Sequence, residues 1–183
     1  MPSMDLNHHI SDNSSELRWP LSPSSHIFEG TEWPKISIVT PSYNQGEYIE
    51  ETILSVLNQN YPNLEYIIID GGSTDNTVEI IKKYADRLTH WESVKDRGQT
   101  HAINKGFEKA SGEIFSYLNS DDCYYENSLL TVSNEYLKQD KNNDFLFIGN
   151  CYYAKSLADT NGELDVPKFP ENLNTAVKKK FLG

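Results

Sequence analysis

Leu64-Glu-Tyr-Ile-Ile-Ile-Asp-Gly-Gly-Ser-Thr-Asp75 joins a nearly continuous apolar run to a polar, glycine-containing turn. A strand that faces water on one side alternates in polarity, whereas this run is apolar at successive positions after its start. It therefore reads as a strand buried on both faces, as in a parallel sheet covered by helices. The glycines permit a tight turn, and Ser73, Thr74 and Asp75 are competent caps for a following helix. Asp70 does not fit a purely structural turn. A carboxylate placed directly after three isoleucines is costly to bury without partners, and one at a strand end can accept hydrogen bonds from a nucleobase N–H or a ribose hydroxyl.

The same unit recurs on both sides of this stretch. Ile36-Ser-Ile-Val-Thr40 is a short β-rich run that Pro41 is expected to stop, and apolar residues at helical spacing follow within 47–60. Val78, Ile81 and Ala85 mark a second helix, Leu88–Trp91 a third strand, and Ile103, Phe107 and Ala110 a third helix. Ile114–Leu118 is a fourth strand, Leu129, Leu130 and Leu137 mark a fourth helix, and Phe145–Ile148 is expected as a fifth strand. Repeated strand–helix–strand units with right-handed crossovers imply an α/β fold: a doubly wound, mostly parallel sheet with helices on both faces.

The 183 residues suffice for one domain with a substantial core. Residues 34–150 are read as that domain, 1–33 as a polar, poorly ordered leader, and 151–183 as an irregular C-terminal segment. Neighbouring His8 and His9 are read as solvated, and Trp19 and Trp33 as apolar anchors for the leader. The formal net charge of −11 argues against a nucleic-acid partner, which requires a basic surface. It leaves room for one phosphorylated small molecule, because a metal ion can supply the local positive charge. Cys123 and Cys151 form neither a disulfide framework nor a metal-ligand pattern, and are read as reduced thiols of a cytoplasmic protein. The first residues lack the features of a secretory signal.

Ligands of open parallel α/β sheets bind beyond the carboxyl ends of the strands. Four successive strand ends carry polar or acidic loops: Thr40-Pro-Ser-Tyr-Asn44, Asp70–Asp75, Asp96-Arg-Gly-Gln-Thr-His101 and Asn119-Ser-Asp-Asp122. Neither G-x-G-x-x-G nor G-x-x-x-x-G-K-[ST] occurs, which disfavours a dinucleotide dehydrogenase or a P-loop NTPase. Phosphates would then need an ion, and carboxylates suit hard divalent cations that take phosphate oxygens as co-ligands. Adjacent side chains on extended backbone point to opposite sides, so Asp122 could reach a metal while Asp121 faces a sugar or ribose. The alternative is a solvated acidic turn. A phospho-receiver domain also gathers aspartates at strand ends, but its acidic pair belongs near the first strand, not the fourth.

Taken in order, Ile38-Val-Thr-Pro-Ser-Tyr-Asn44, Ile69-Asp-Gly-Gly-Ser-Thr-Asp75, Asp96-Arg-Gly-Gln-Thr-His-Ala-Ile-Asn-Lys-Gly106, Gly112-Glu-Ile and Leu118-Asn-Ser-Asp-Asp122 resemble the nucleotide-binding half of family 2 glycosyltransferases, which have the GT-A fold. The resemblance spans residues 35 to about 150. It implies transfer of a sugar from a nucleotide-diphosphate-sugar donor to an acceptor hydroxyl on a saccharide or lipid-linked acceptor, with inversion, in cell-surface polysaccharide or glycoconjugate synthesis. By the same resemblance Pro41, Tyr43 and Asp70 line the base and ribose pocket, and Asp96 to Asn104 flank the nucleotide. Arg97 offers charge to the pyrophosphate. Asp121 and Asp122 match the family's D-x-D-type motif, with Asp122 as the Mn²⁺ or Mg²⁺ ligand.

Many family members carry a second acidic residue where this chain has Gly71. The resemblance also stops before the family's acceptor half, so truncation there is expected and no catalytic base is assigned. Asp159, Glu163, Asp165 and Glu171 match no motif. The corresponding alternative function is a nucleotide-sugar-binding module without independent turnover. The implied setting is cytoplasmic, extending to the inner face of the membrane or to a complex with a partner protein.

Overall fold

A computed structural model describes residues 33–140 and 144–147, together with the backbone of two short strands at 151–153 and 163–165. The expectations for the leader, including His8, His9 and Trp19, lie outside the described residues, as do Asp159 and Glu171.

Four parallel strands form the sheet in the order β3-β2-β1-β4: β1 (Ile36–Ser42), β2 (Leu64–Asp70), β3 (His90–Ser93) and β4 (Ile114–Tyr117). All seven residues of β1 are buried. The sheet has two dry faces because its side chains alternate. Ile36, Ile38, Tyr66 and Ile68 point to one face, against α1 (Ile49–Leu57), α2 (Thr77–Lys83) and α4 (Ser128–Leu137). Val39, Ile67 and Ile69 point to the other, against Ala102 and Phe107 of α3 (Gln99–Lys109). The apolar run at 64–69 is thus explained, since each half of it serves a different core.

The strand does not stop at Pro41 as expected. Pro41 pairs in register with Ile69, and Ser42 with Asp70. Ile36 N–H bonds to Asn63 O, and Ser42 O accepts from Gly71 N, so even-numbered residues of β1 serve β2. Val39 O accepts from Leu118 N, so odd-numbered residues face β4. The β4 register ends at Val39, and the N–H that Pro41 lacks would point where no partner strand remains.

Two further differences concern strand positions. The third strand is His90–Ser93 rather than 88–91: Leu88 packs against the core from the turn that follows α2, and pairing begins at Ile67 with His90. Phe145–Phe147, expected within a fifth strand, are not in a strand, and Ile148 lies outside the described residues. Leu146 is 67% exposed, so no sheet face covers it. Downstream, Cys151–Tyr153 (β5) pairs antiparallel with Glu163–Asp165 (β6), where an irregular segment was expected.

Buried polar groups tie the layers together. Glu65 accepts hydrogen bonds from Ser37 Oγ (2.5 Å), Ser111 N (2.7 Å) and Ser111 Oγ (2.9 Å), which anchors the turn between α3 and β4 beneath β1. Tyr61 donates to Pro34 O (2.8 Å), shares a bond with Ser133 Oγ and meets the ring of Trp33 edge-on at 6.0 Å. Position 106 of α3 lies so close to β1 that a Cβ there would collide with Val39.

Candidate functional site

The chain runs outward from β1 through β2 to β3, then returns to place β4 on the other side of β1. This reversal opens a crevice at the carboxyl ends of β1 and β4, the position where doubly wound sheets take ligands. A cavity of about 700 Å³ lies there, walled by Pro41, Ser42, Tyr43 and Gln45 after β1, Gly71 and Gly72 after β2, Lys95, Asp96, Gly98, Gln99 and Ala102 around the start of α3, and Asn119, Ser120 and Asp121 after β4. All four strand-end loops singled out in the sequence contribute to it.

The first two loops are stitched into one wall. Asn44, in left-handed backbone at φ 51°, donates its N–H to Ser73 Oγ (2.7 Å), and its side-chain oxygen accepts from Thr74 N (2.8 Å). Gly46 N donates to Asp75 Oδ2 (2.9 Å) and Gln45 N to Thr77 Oγ1 (2.9 Å). The expected capping by Ser73, Thr74 and Asp75 is mostly diverted to this task. Helix α2 begins after Asn76 with no side-chain cap bond, although Asp75 Oδ1 does accept from Thr77 N (3.0 Å). The Thr77 hydroxyl, foremost, holds the Asp75 carboxyl below its ordinary range.

Asp70 sits behind this wall, fully buried. Its Oδ2 accepts from Gly72 N (3.1 Å), Ser73 N (2.8 Å) and Ser93 Oγ (2.6 Å), and its Oδ1 from Ser73 Oγ (2.5 Å). Four donors offset the cost of burying the charge. Gly72, with φ +85°, is in the conformation that glycine adopts without strain, and it brings the loop against the backbone of Lys95.

The loop after β4 is held from below. Tyr124 N donates to Ser55 Oγ of α1 (3.1 Å), and Gln59 Nε2, from the turn just after that helix, donates to Tyr125 O (2.8 Å). Above these anchors Asp122 N closes a turn onto Asn119 O (3.1 Å). Gln99 Nε2 donates to Asn119 Oδ1 (2.7 Å), so the Asn119 amide faces Asp122 with its NH₂, which donates to Asp122 Oδ2 (2.9 Å). Asp121 and Asp122 are both exposed, and no hydrogen bond reaches the Asp121 carboxylate among the described residues. Next to them Cys123 is half-buried, and burial pushes its thiol up to about 11.

Of the residues assigned from sequence, Pro41, Tyr43, Asp96 and Asp121 share the cavity wall. Asp70 is one layer behind it. Asp122 adjoins it through Asn119, while Arg97 and Asn104 are exposed outside the lining. Gln45, Lys95, Gln99 and Asn119 were not singled out individually. Lys95 had a signal, as the one cation immediately before the Asp96 loop. Tyr48 was also missed: its phenol is pushed up mainly by Glu47, with a smaller effect from Asp121, which places it within electrostatic reach of the acidic turn.

No group of three or more His, Cys, Asp or Glu side chains converges among the described residues. An all-protein cation cage is therefore absent from them. Two exposed carboxylates fit an ion that keeps waters and takes phosphate oxygens as its other ligands. No described helix is long and apolar enough to cross a membrane.

The model of glycosyl transferase family 2 matches residues 37–177. A putative teichuronic acid biosynthesis glycosyltransferase of Bacillus subtilis is 41% identical over 103 residues, covering 54% of this chain and 41% of that protein. Glycosyltransferase GlyG of Streptococcus pneumoniae is 37% identical over 122 residues, 64% of this chain and 39% of that protein. The chain thus spans less than half the length of these relatives. Among solved structures, S. aureus TarS in complex with UDP-GlcNAc superposes with a TM-score of 0.51 at 28% identity, over 55% of this chain and 30% of that one. The mannosyltransferase PcManGT of Pyrobaculum calidifontis, in complex with GDP-Man and Mn²⁺, gives 0.53 at 27% identity, over 69% and 37%. The parallel sheet, the crevice at its strand ends and these likenesses agree with the GT-A-type fold expected from the motifs, and the chain belongs to glycosyl transferase family 2.

Proposed function

We propose that the chain carries the donor-binding half of a metal-dependent, inverting glycosyltransferase that moves a sugar from a nucleotide diphosphate to an acceptor hydroxyl in cell-surface polysaccharide or glycoconjugate synthesis. The observation that carries this reading is the convergence of four strand-end loops on one cavity at the reversal point of the sheet. Its volume is within the range of small-molecule sites. Tyr43, 59% exposed, offers an aromatic face to a base, and Pro41 lines the same wall. Asp121 faces the ribose or sugar, and Lys95 brings positive charge to the diphosphate.

Asp122 and Asp121 are the residues that would hold Mn²⁺ or Mg²⁺. Bound there, the ion supplies Lewis-acid stabilisation of the charge that develops on the departing diphosphate. The chain's own part is positional. Gln99 and Asn119 fix the Asp122 carboxylate, and the stitched loops after β1 and β2 fix the nucleotide wall. In the transfer itself the acceptor oxygen bonds the anomeric carbon as the bond to the diphosphate oxygen breaks. The acceptor's proton goes to a base that is not assigned. A single displacement of this kind inverts the anomeric centre.

The other reading is a nucleotide-sugar-binding module without turnover of its own, since no described residue is assigned as the base that would take the acceptor's proton. Transfer and hydrolysis assays with several nucleotide sugars and Mn²⁺ separate the two, since saturable binding without product restricts the chain to binding. The site itself is tested by Asp122→Ala. Loss of the metal-dependent part of nucleoside-diphosphate affinity, by calorimetry, is the expected result. Unchanged affinity with metal present removes the acidic pair from the site.

A further inference from the structure

Asp96 stands where the side chain of residue 71 would be. A Cβ built on Gly71 would lie 3.2 Å from Asp96 Oδ1 and 3.3 Å from both Cγ and Oδ2. The Asp96 carboxylate therefore lies flat against the backbone of the second-strand loop, although it comes from a loop 25 residues downstream. Gly71 is held in turn against the end of β1, through Gly71 N to Ser42 O (2.8 Å). This brings the carboxylate to the wall formed by Pro41, Ser42 and Tyr43.

The two carboxylates near this wall differ in what they can still accept. All four bonds to Asp70 come from the protein itself, and Asp70 is fully buried. Asp96 lines the cavity. Its Oδ1 accepts from Gly98 N (2.7 Å), whereas its Oδ2 accepts no hydrogen bond among the described residues. A carboxylate oxygen fixed on one side and open on the other can read a single N–H donor on a ligand edge.

We infer that Asp96, seated over Gly71, is the carboxylate that recognises the base of the bound nucleotide, and that it selects a base presenting a ring N–H. The inference rests on the nucleotide-sugar reading of the cavity. Uracil, thymine and guanine present such a donor at a ring nitrogen. Adenine and cytosine present a bare ring acceptor there, which a carboxylate repels. Gly71 is then part of the device, because a Cβ there would press on the Asp96 carboxylate at 3.2–3.3 Å and shift it by a few tenths of an ångström. Asp70 serves it indirectly, by holding the loop on which Asp96 rests.

Three variants of the full chain test this, titrated with UDP, GDP, ADP and CDP at fixed Mn²⁺, with thermal unfolding as a check on folding. Asp96→Asn keeps shape and can keep the Gly98 bond, but sets an amide donor against the ring N–H. It should lose roughly tenfold or more of the affinity for UDP or GDP, with ADP and CDP little changed, so that discrimination collapses. Gly71→Ala should weaken the same nucleotides by crowding Asp96. The transposed pair Gly71→Asp with Asp96→Gly returns the carboxylate to the same place from the other loop, and should recover discrimination. Discrimination unchanged in Asp96→Asn overturns the inference alone, as does a folded transposed variant that recovers none. No nucleotide binding by the unaltered chain overturns the functional reading, and this inference with it.

Discussion

Glu65 is 5% exposed, yet its carboxyl stays easily ionised. Burial pushes it up, but Ser37 and Ser111 donate three hydrogen bonds and Lys35 lies nearby, and the net effect lowers it from its usual 4.5. A carboxyl lowered in the fold contributes its full stabilisation above its unfolded value, and loses it as pH falls through the lower folded value. Glu65→Gln should cost about 1–2 kcal/mol near neutrality. That deficit should shrink below pH 4, and urea unfolding of both proteins across pH 3–7 checks it. Asp70 and Glu65 also mark what the sequence withholds at this scale. That Asp70 needs partners was legible from the three isoleucines before it. That Ser93 would supply one, from the end of a different strand, was not, because nothing local encodes the pairing of β2 with β3.

Among the elements, α3 has the least freedom. It covers one face of the sheet largely alone, through Ala102 and Phe107, and closes onto β1 at Gly106. Gly106→Leu should destabilise by about 3 kcal/mol or more, since an overpacked, close-set helix has to move off the strand. Because Gln99 and the Asp96 loop begin this helix, nucleotide affinity should fall as well, whereas Gly98→Ala meets no neighbouring atom and costs only backbone strain at φ +107°. Thermal unfolding and titration of the two variants separate packing from ligand contact. Element types were readable wherever buried periodicity was strong, as in β1, β2, α1 and α3. Reading failed where apolar composition stood alone. Leu88 proved a core contact from a turn, and Phe145–Phe147 carry the residue types of a strand without forming one. Pro41 misled for a directional reason, since a proline ends a strand only on the side where a ladder bond is needed.

Across the whole molecule, the site is a property of chain order rather than of any one motif. Winding out to β3 and back to β4 gathers segments from residues 41, 71, 96 and 121 into one crevice. The sequence disclosed this much because its polar loops recur at successive strand ends, and parallel strands put those ends on one edge. It did not disclose which carboxylate would meet a ligand, which depends on the depth of each loop. With a formal net charge of −11, the chain opposes the approach of a diphosphate unless a cation intervenes. The most direct measurement is therefore calorimetric titration with UDP-, GDP-, ADP- and dTDP-sugars, with and without Mn²⁺. Saturable one-to-one binding of at least one of them, strengthened roughly tenfold or more by Mn²⁺, is the predicted result. No binding of any of the four, with the metal or without it, would contradict the account.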